Sequence, residues 1–101
     1  MNGQQNQKSQ QIQIKFPDDI LKGAYANFMN VITTREEFVL DFANVFPPAG
    51  IMTARVIISP GHMKRIIRVL EGALKNYENK FGKTEEAEEP KVKIGFQPSK
   101  N

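Results

Sequence analysis

Few side chains in this sequence could do chemistry, and they are scattered. The single histidine, His62, falls at the third position of a predicted helix, where a capping box would place Glu or Gln. Its ring therefore contacts the Ser59 backbone or faces water. With no cysteine in the chain, and no acidic residue at ligand spacing from His62, no metal site and no thiol nucleophile are expected. Acidic pairs stand at Asp18-Asp19, at Glu36-Glu37 and in the run Glu85-Glu86-Ala87-Glu88-Glu89. General acid–base work needs carboxylates that converge in a cleft, whereas these fall in predicted turns and tails, where solvation accounts for them. Asp41 differs, because apolar residues flank it inside a predicted strand. It either faces outward or pairs with Arg55 across the sheet. The glycines form no phosphate-binding loop, since there is no GxGxxG and no Lys-Ser/Thr after a glycine run. The expectation is a non-enzymatic chain with no catalytic residue, no metal and no cofactor.

The positive signal is basic. At roughly 100° per helical residue, Lys64, Arg68 and Lys75 nearly superimpose, with Arg65 at the edge of their arc. They oppose a stripe of Met63, Ile66, Leu70, Leu74 and Phe81. Such a row could contact phosphates; an ordinary solvated helix face is the competing reading, and Glu71 and Glu78 dilute the charge. Tyr25, Phe28 and the neighbouring asparagines lie on a predicted strand that could stack and hydrogen-bond bases, although aromatics at strand spacing also build cores. The candidate nucleic-acid-binding residues are Lys64, Arg65, Arg68, Lys75, Arg55 and Tyr25.

These residues need a scaffold, and the stretch Arg55–Gly82 organises it. A strand ends at Ser59-Pro60, with Ser59 as N-cap and Pro60 at the first helical position. An amphipathic helix then runs to a stop at Gly82. Upstream, Gln11–Phe16 alternates as a half-buried strand ended by Pro17. Lys22-Gly23 reads as a turn, and Ala24–Thr33 as a strand with apolar residues on both sides. Thr33-Thr34-Arg35-Glu36 makes a hairpin connection. In Glu37–Phe46, Phe38, Leu40, Phe42 and Phe46 share one face, and Val39, Asp41, Ala43 and Val45 the other. Pro47-Pro48-Ala49-Gly50 reads as a rigid loop, and Met52–Ile58 as the fourth strand. The predicted fold is α+β: a four-stranded antiparallel meander followed by one long helix packed on one sheet face (β-β-β-β-α). One helix cannot cover both apolar sides of such a sheet, so a homodimer is expected. Gly72, inside the helix, marks either a close helix–helix approach or a tolerated weakness.

Composition bounds the rest. The 101 residues allow one domain, read as a disordered polar tail (1–11), a sheet-and-helix domain (12–82) and an acidic linker with a short tail (83–101). Within that tail, Lys91–Gln97 alternates and is either an edge strand or disordered. Between residues 12 and 82, nine Lys or Arg stand against seven Asp or Glu, a net charge of +2. That is mild for a dedicated nucleic-acid binder. No secretory leader and no apolar run of membrane-spanning length is read, so the cytoplasm is the expected location. The alternative to nucleic acid is a protein–protein adaptor or assembly subunit, docking a partner on the exposed sheet face and the C-terminal tail by strand addition.

Three segments carry a family resemblance: Tyr25-Ala26-Asn27, Glu37-Phe38-Val39-Leu40-Asp41-Phe42, and Arg55 through Gly82. Together they resemble a small bacterial and archaeal family of unknown function, DUF3467, across roughly residues 20–82. The resemblance implies a shared fold and brings no activity and no site residues. In strand and helix order alone, the predicted topology is also similar to the coactivator and Whirly group of single-stranded-DNA-binding dimers, though this chain has little positive charge on its strands.

Overall fold

The computed structural model describes residues 10–88 and 94–95. It orders a short helix α1 (Asp18–Leu21), strands β1 (Phe28–Thr33), β2 (Phe38–Phe46) and β3 (Ala49–Ile58), and a long helix α2 (Pro60–Phe81). The three strands form one antiparallel sheet in chain order, with β2 in the middle. No helix is long and apolar enough to cross a membrane among the described residues.

Local chemistry accounts for each junction. Pro17 precedes α1, and Gly23, at φ +79°, takes the chain out of it in a conformation that side chains with a Cβ resist. Between β1 and β2, Thr34 holds Glu37 at both backbone and side chain: Thr34 N–H donates to Glu37 O at 2.9 Å, and Glu37 N–H donates to Thr34 Oγ1 at 3.0 Å. The β2–β3 turn is only Pro47-Pro48, joined by a cis peptide. Ala49 and Gly50, expected in a loop, pair with Phe46 and Val45 in the sheet. In α2, Ser59 Oγ accepts from His62 N–H at 3.1 Å, and Gly82, at φ +101°, donates its N–H to Glu78 O.

Pairing partners share a face of the sheet, so the register sorts the side chains. One side carries Met29 and Val31 of β1, Phe38, Leu40 and Phe42 of β2, and Ala54, Val56 and Ile58 of β3. The other carries Phe28, Asn30 and Ile32, then Val39, Asp41, Ala43 and Val45, then Met52, Arg55 and Ile57. The register shifts opposite Phe42/Ala43, which leaves Thr53 as an extra residue on β3. Its hydroxyl donates to Phe42 O at 3.2 Å.

Two expectations are corrected. Among the described residues the sheet has three strands, not four: Gln11–Phe16 forms no strand, and Ile12, Ile14 and Phe16 are exposed. Alternation fixes which faces a strand would present, not whether a sheet edge lies within its reach. The four-strand count behind the Whirly likeness goes with that strand. The helix, moreover, is not packed on the sheet. No residue of α2 is buried and α2 makes no extensive contact with any strand. Ser59 is the only residue between β3 and α2, and Pro60 biases it to the extended conformation it adopts, φ −79° and ψ 159°. The chain has no spare residue with which to fold the helix back. The predicted strand over Lys91–Gln97 falls mostly outside the described residues.

The consequence is a chain with almost no core among its described residues. Leu40, Ala43 and Ile58 are the buried apolar residues among those described. Along α2, Ile67, Leu70, Leu74, Tyr77 and Phe81 are between 49% and 69% exposed.

Candidate nucleic-acid interface

Helix α2 presents two faces. Capped at Ser59 and unbroken for 22 residues, it holds Lys64, Arg68 and Lys75 in one row with Arg65 beside them. All four are exposed. None forms an ion pair with another described residue. Lys64 to Lys75 spans about 16 Å at 1.5 Å per residue. A shallow open depression at the N-terminal part of the row is lined by Gly61, Lys64, Arg65, Ile67, Arg68 and Glu71. Glu78, one of the residues expected to dilute the charge, accepts from Thr84 N–H through its Oε2 at 2.9 Å and keeps its negative charge. The opposite face is the apolar stripe, where the Tyr77 and Phe81 rings lie 5.0 Å apart.

The sheet holds a second polar feature. Asp41 is buried (3% exposed) and Arg55 grips it bidentately, Nε to Oδ1 at 2.7 Å and Nη2 to Oδ2 at 2.8 Å. The hydrogen bonds from Arg55, reinforced by its charge, hold the Asp41 carboxyl below the usual carboxylate range against the opposing effect of burial, and the Arg55 guanidinium is pushed up in turn. Of the two sequence readings for Asp41, the cross-sheet pair is the one observed. Asn30 lies opposite Asp41 on β1, so Asn30, Asp41 and Arg55 make a polar row across all three strands. Apolar rows flank it: Ile32, Val39 and Ile57 on one side, Phe28, Ala43 and Met52 on the other. The position of Asn30 in this row was not readable from sequence, because only the register shows it.

The six candidate residues do not converge within one protomer. Lys64, Arg65, Arg68 and Lys75 share α2, which starts beside the β1–β2 hairpin, where Ile58 pairs with Phe38. Arg55 sits mid-sheet, its charge matched by Asp41. Tyr25 lies before β1, at the Pro47-Pro48 end, and is 70% exposed. The neighbouring Asn27 is engaged structurally: its Nδ2 donates to Val45 O at 3.0 Å and Val45 N–H donates to its Oδ1 at 2.8 Å. An amide side chain thus extends the β1–β2 ladder one step beyond the strand. His62 is exposed, and only its backbone N–H is used. No cluster of three His, Asp or Glu side chains suited to a metal ion occurs among the described residues.

Comparison with known proteins adds a family and no activity. No curated protein and no solved structure gives a significant match. The family model described as "Protein of unknown function (DUF3467)" matches residues 1–86, a span that holds the Tyr25–Asn27 segment, the sheet and the whole of α2. The chain belongs to the DUF3467 family.

Proposed function

We propose that this protein is a non-catalytic homodimer that binds nucleic-acid phosphates through Lys64, Arg65, Arg68 and Lys75 of α2. The reading rests on one observation: four exposed basic side chains share a helix face free of ion pairs with the described residues, while the opposite face of the same helix is apolar and uncovered. A partner on the apolar face leaves the basic row pointing outward. Dimerisation also gives two rows, which offsets the mild charge of a single chain. Arg55, held by Asp41, contributes to this surface only as a paired group.

The test is fluorescence anisotropy with labelled single- and double-stranded oligonucleotides at several salt concentrations. Three or four phosphate contacts per row predict a slope of log K against log salt of roughly −3 per protomer on duplex and about −2 to −3 on single strands. Reversing Lys64, Arg68 and Lys75 together to Glu should abolish the salt-sensitive binding. Binding that survives the reversal unchanged refutes the assignment.

A second reading, a protein–protein adaptor, is favoured by the exposed Ile32, Met52 and Ile57 around the polar row of the sheet. In that reading the face and residues 83–101 dock a protein partner. Deleting 83–101 should lower capture of that partner, and an unaffected pull-down counts against the tail.

A further inference from the structure

We infer that α2 of each protomer lies along the sheet of its partner, on the side that carries Phe38, Leu40, Phe42 and Val56, so that two reciprocal helix–sheet contacts hold the dimer. The inference rests on the homodimer proposed above and assigns its geometry.

Reach comes first. Within one chain the greater part of the apolar stripe does not lie on the sheet: Ser59 alone joins β3 to α2 and is extended, and Leu70, Leu74, Tyr77 and Phe81 stay exposed. A second copy supplies to each helix the surface its own chain does not bring round. Dimensions agree as well. The 22 residues of α2 span about 33 Å, and the 10 residues of β3 span about the same. The helix is the right length to run the full extent of a sheet.

Area is the third consideration. Large aromatic side chains offer roughly 150–250 Å² each; Leu70, Leu74, Tyr77 and Phe81 of the stripe are about half exposed or more, and on this sheet side Met29, Val31 and Val56 are exposed while Phe38 and Phe42 are half-buried. Together they offer on the order of 1,000 Å² per protomer, so about 2,000 Å² for the pair, which enters the range of obligate homodimers. An arrangement in which the stripes alone paired would leave both sheets bare. Since each copy gives one helix and one sheet, the contact closes on itself under two-fold symmetry.

The choice of sheet side follows from Asn30, Asp41 and Arg55. Apart from the Tyr77 hydroxyl the stripe brings no polar partner to that row, whereas Met29, Val31, Phe38, Phe42 and Val56 present an apolar surface to match it.

The chain has no cysteine, so introduced thiols report without background. Two full-length variants are made: Leu70→Cys on the helix and Val56→Cys on the sheet, both at positions exposed in the protomer. They are mixed by co-expression and treated with a short bis-maleimide. A covalent dimer from the mixture, at least tenfold more abundant than from either variant alone, is the expected result. A dimer from Leu70→Cys alone shows helix–helix pairing and overturns the inference. A chain carrying both substitutions that cross-links internally shows the helix on its own sheet, and overturns it too. A native dimer in which no combination cross-links overturns the assignment of the sheet side. A monomeric mass for the unmodified chain by light scattering removes the homodimer and this geometry together. Should Leu70→Cys fail to fold, Leu74→Cys replaces it on the same stripe. Oligonucleotide takes no part, so failure of the phosphate reading leaves this result standing.

Discussion

Replacing Gly72 by alanine should make this protein more stable. Gly72 lies in the middle of α2, where glycine is about 1 kcal/mol less favourable than alanine because it gives up more backbone freedom on ordering. A Cβ built there meets no atom within 4 Å, so nothing in the protomer opposes the gain. Its direction matters equally: two residues on from Leu70, it points roughly 160° away from the apolar stripe. In the proposed reciprocal dimer the stripe would be covered and Gly72 would face water, so the gain of the single chain would carry over whole. About 1 kcal/mol raises the melting temperature by roughly 4–8 °C in a domain of this size. Thermal melting followed by circular dichroism reads the shift, repeated at two protein concentrations so that dissociation and unfolding are separated. A lower melting temperature, or a weaker dimer, would refute the reasoning. It would place a partner's backbone against Gly72, and with it the helix–helix approach that an internal glycine can also signal.

Other expectations follow from single contacts. Ser59→Ala removes the hydroxyl that accepts from His62 N–H and should destabilise by about 1 kcal/mol, with Ser59→Asp restoring most of it; chemical denaturation measures both. Asn27→Ala deletes two hydrogen bonds to Val45 and should cost about 1–2 kcal/mol, and hydrogen exchange at Val45 should rise more than at the strand centre. Asp41 has a folded pKa below its ordinary value because Arg55 hydrogen-bonds its charged form. Its contribution is therefore present above the unfolded carboxylate pKa of about 3.9 and lost as pH falls through the lower folded value. Asp41→Asn should be less stable than the native chain at neutral pH, and the gap should close in acid; a gap independent of pH would remove the ion pair as its cause.

Helix α2 was the most legible element, since each of its boundaries is a local device. Ser59 and Pro60 start it and Gly82 stops it, and none of the three depends on what lies across the fold. The faces of β2 were legible for the same reason, because alternation is a property of the strand itself. What could not be read depended on reach. Gln11–Phe16 has the right alternation and no strand edge beside it. The stripe on α2 has the right spacing for a sheet and, with a one-residue junction, no route to its own. Pro47-Pro48-Ala49-Gly50 reads as a rigid loop, yet the turn needs only the two prolines and Ala49 pairs at once. On the functional side, the basic row came from spacing alone, whereas Asn30 joined Asp41 and Arg55 only through the register of β1.

That polar row also bears on how such a bare protomer avoids docking wrongly. Both sides of the sheet are rich in aliphatic and aromatic residues, so hydrophobicity alone would let the partner's helix settle on either. Arg55 separates the two sides. Its guanidinium carries five N–H donors, and Asp41 takes two of them. The remaining three depend on water, which reaches them because the side chain is 58% exposed. A helix whose stripe carries a single hydroxyl, that of Tyr77, laid over this side, would expel that water and offer at most one acceptor to three donors, and buried donors without partners are costly. On the other side the same helix strips water only from carbon. In the proposed reciprocal dimer Asp41 and Arg55 would therefore do more than pin β2 to β3: by holding one sheet side wet, they would direct the partner's helix to the other. Arg55→Leu with Asp41→Leu would erase the distinction. The paired substitution should leave the sheet folded while allowing cross-links from Leu70→Cys to both Val56→Cys and Ile57→Cys, which point to opposite sides. Cross-linking still confined to Val56→Cys would mean that shape, rather than the wet row, selects the side.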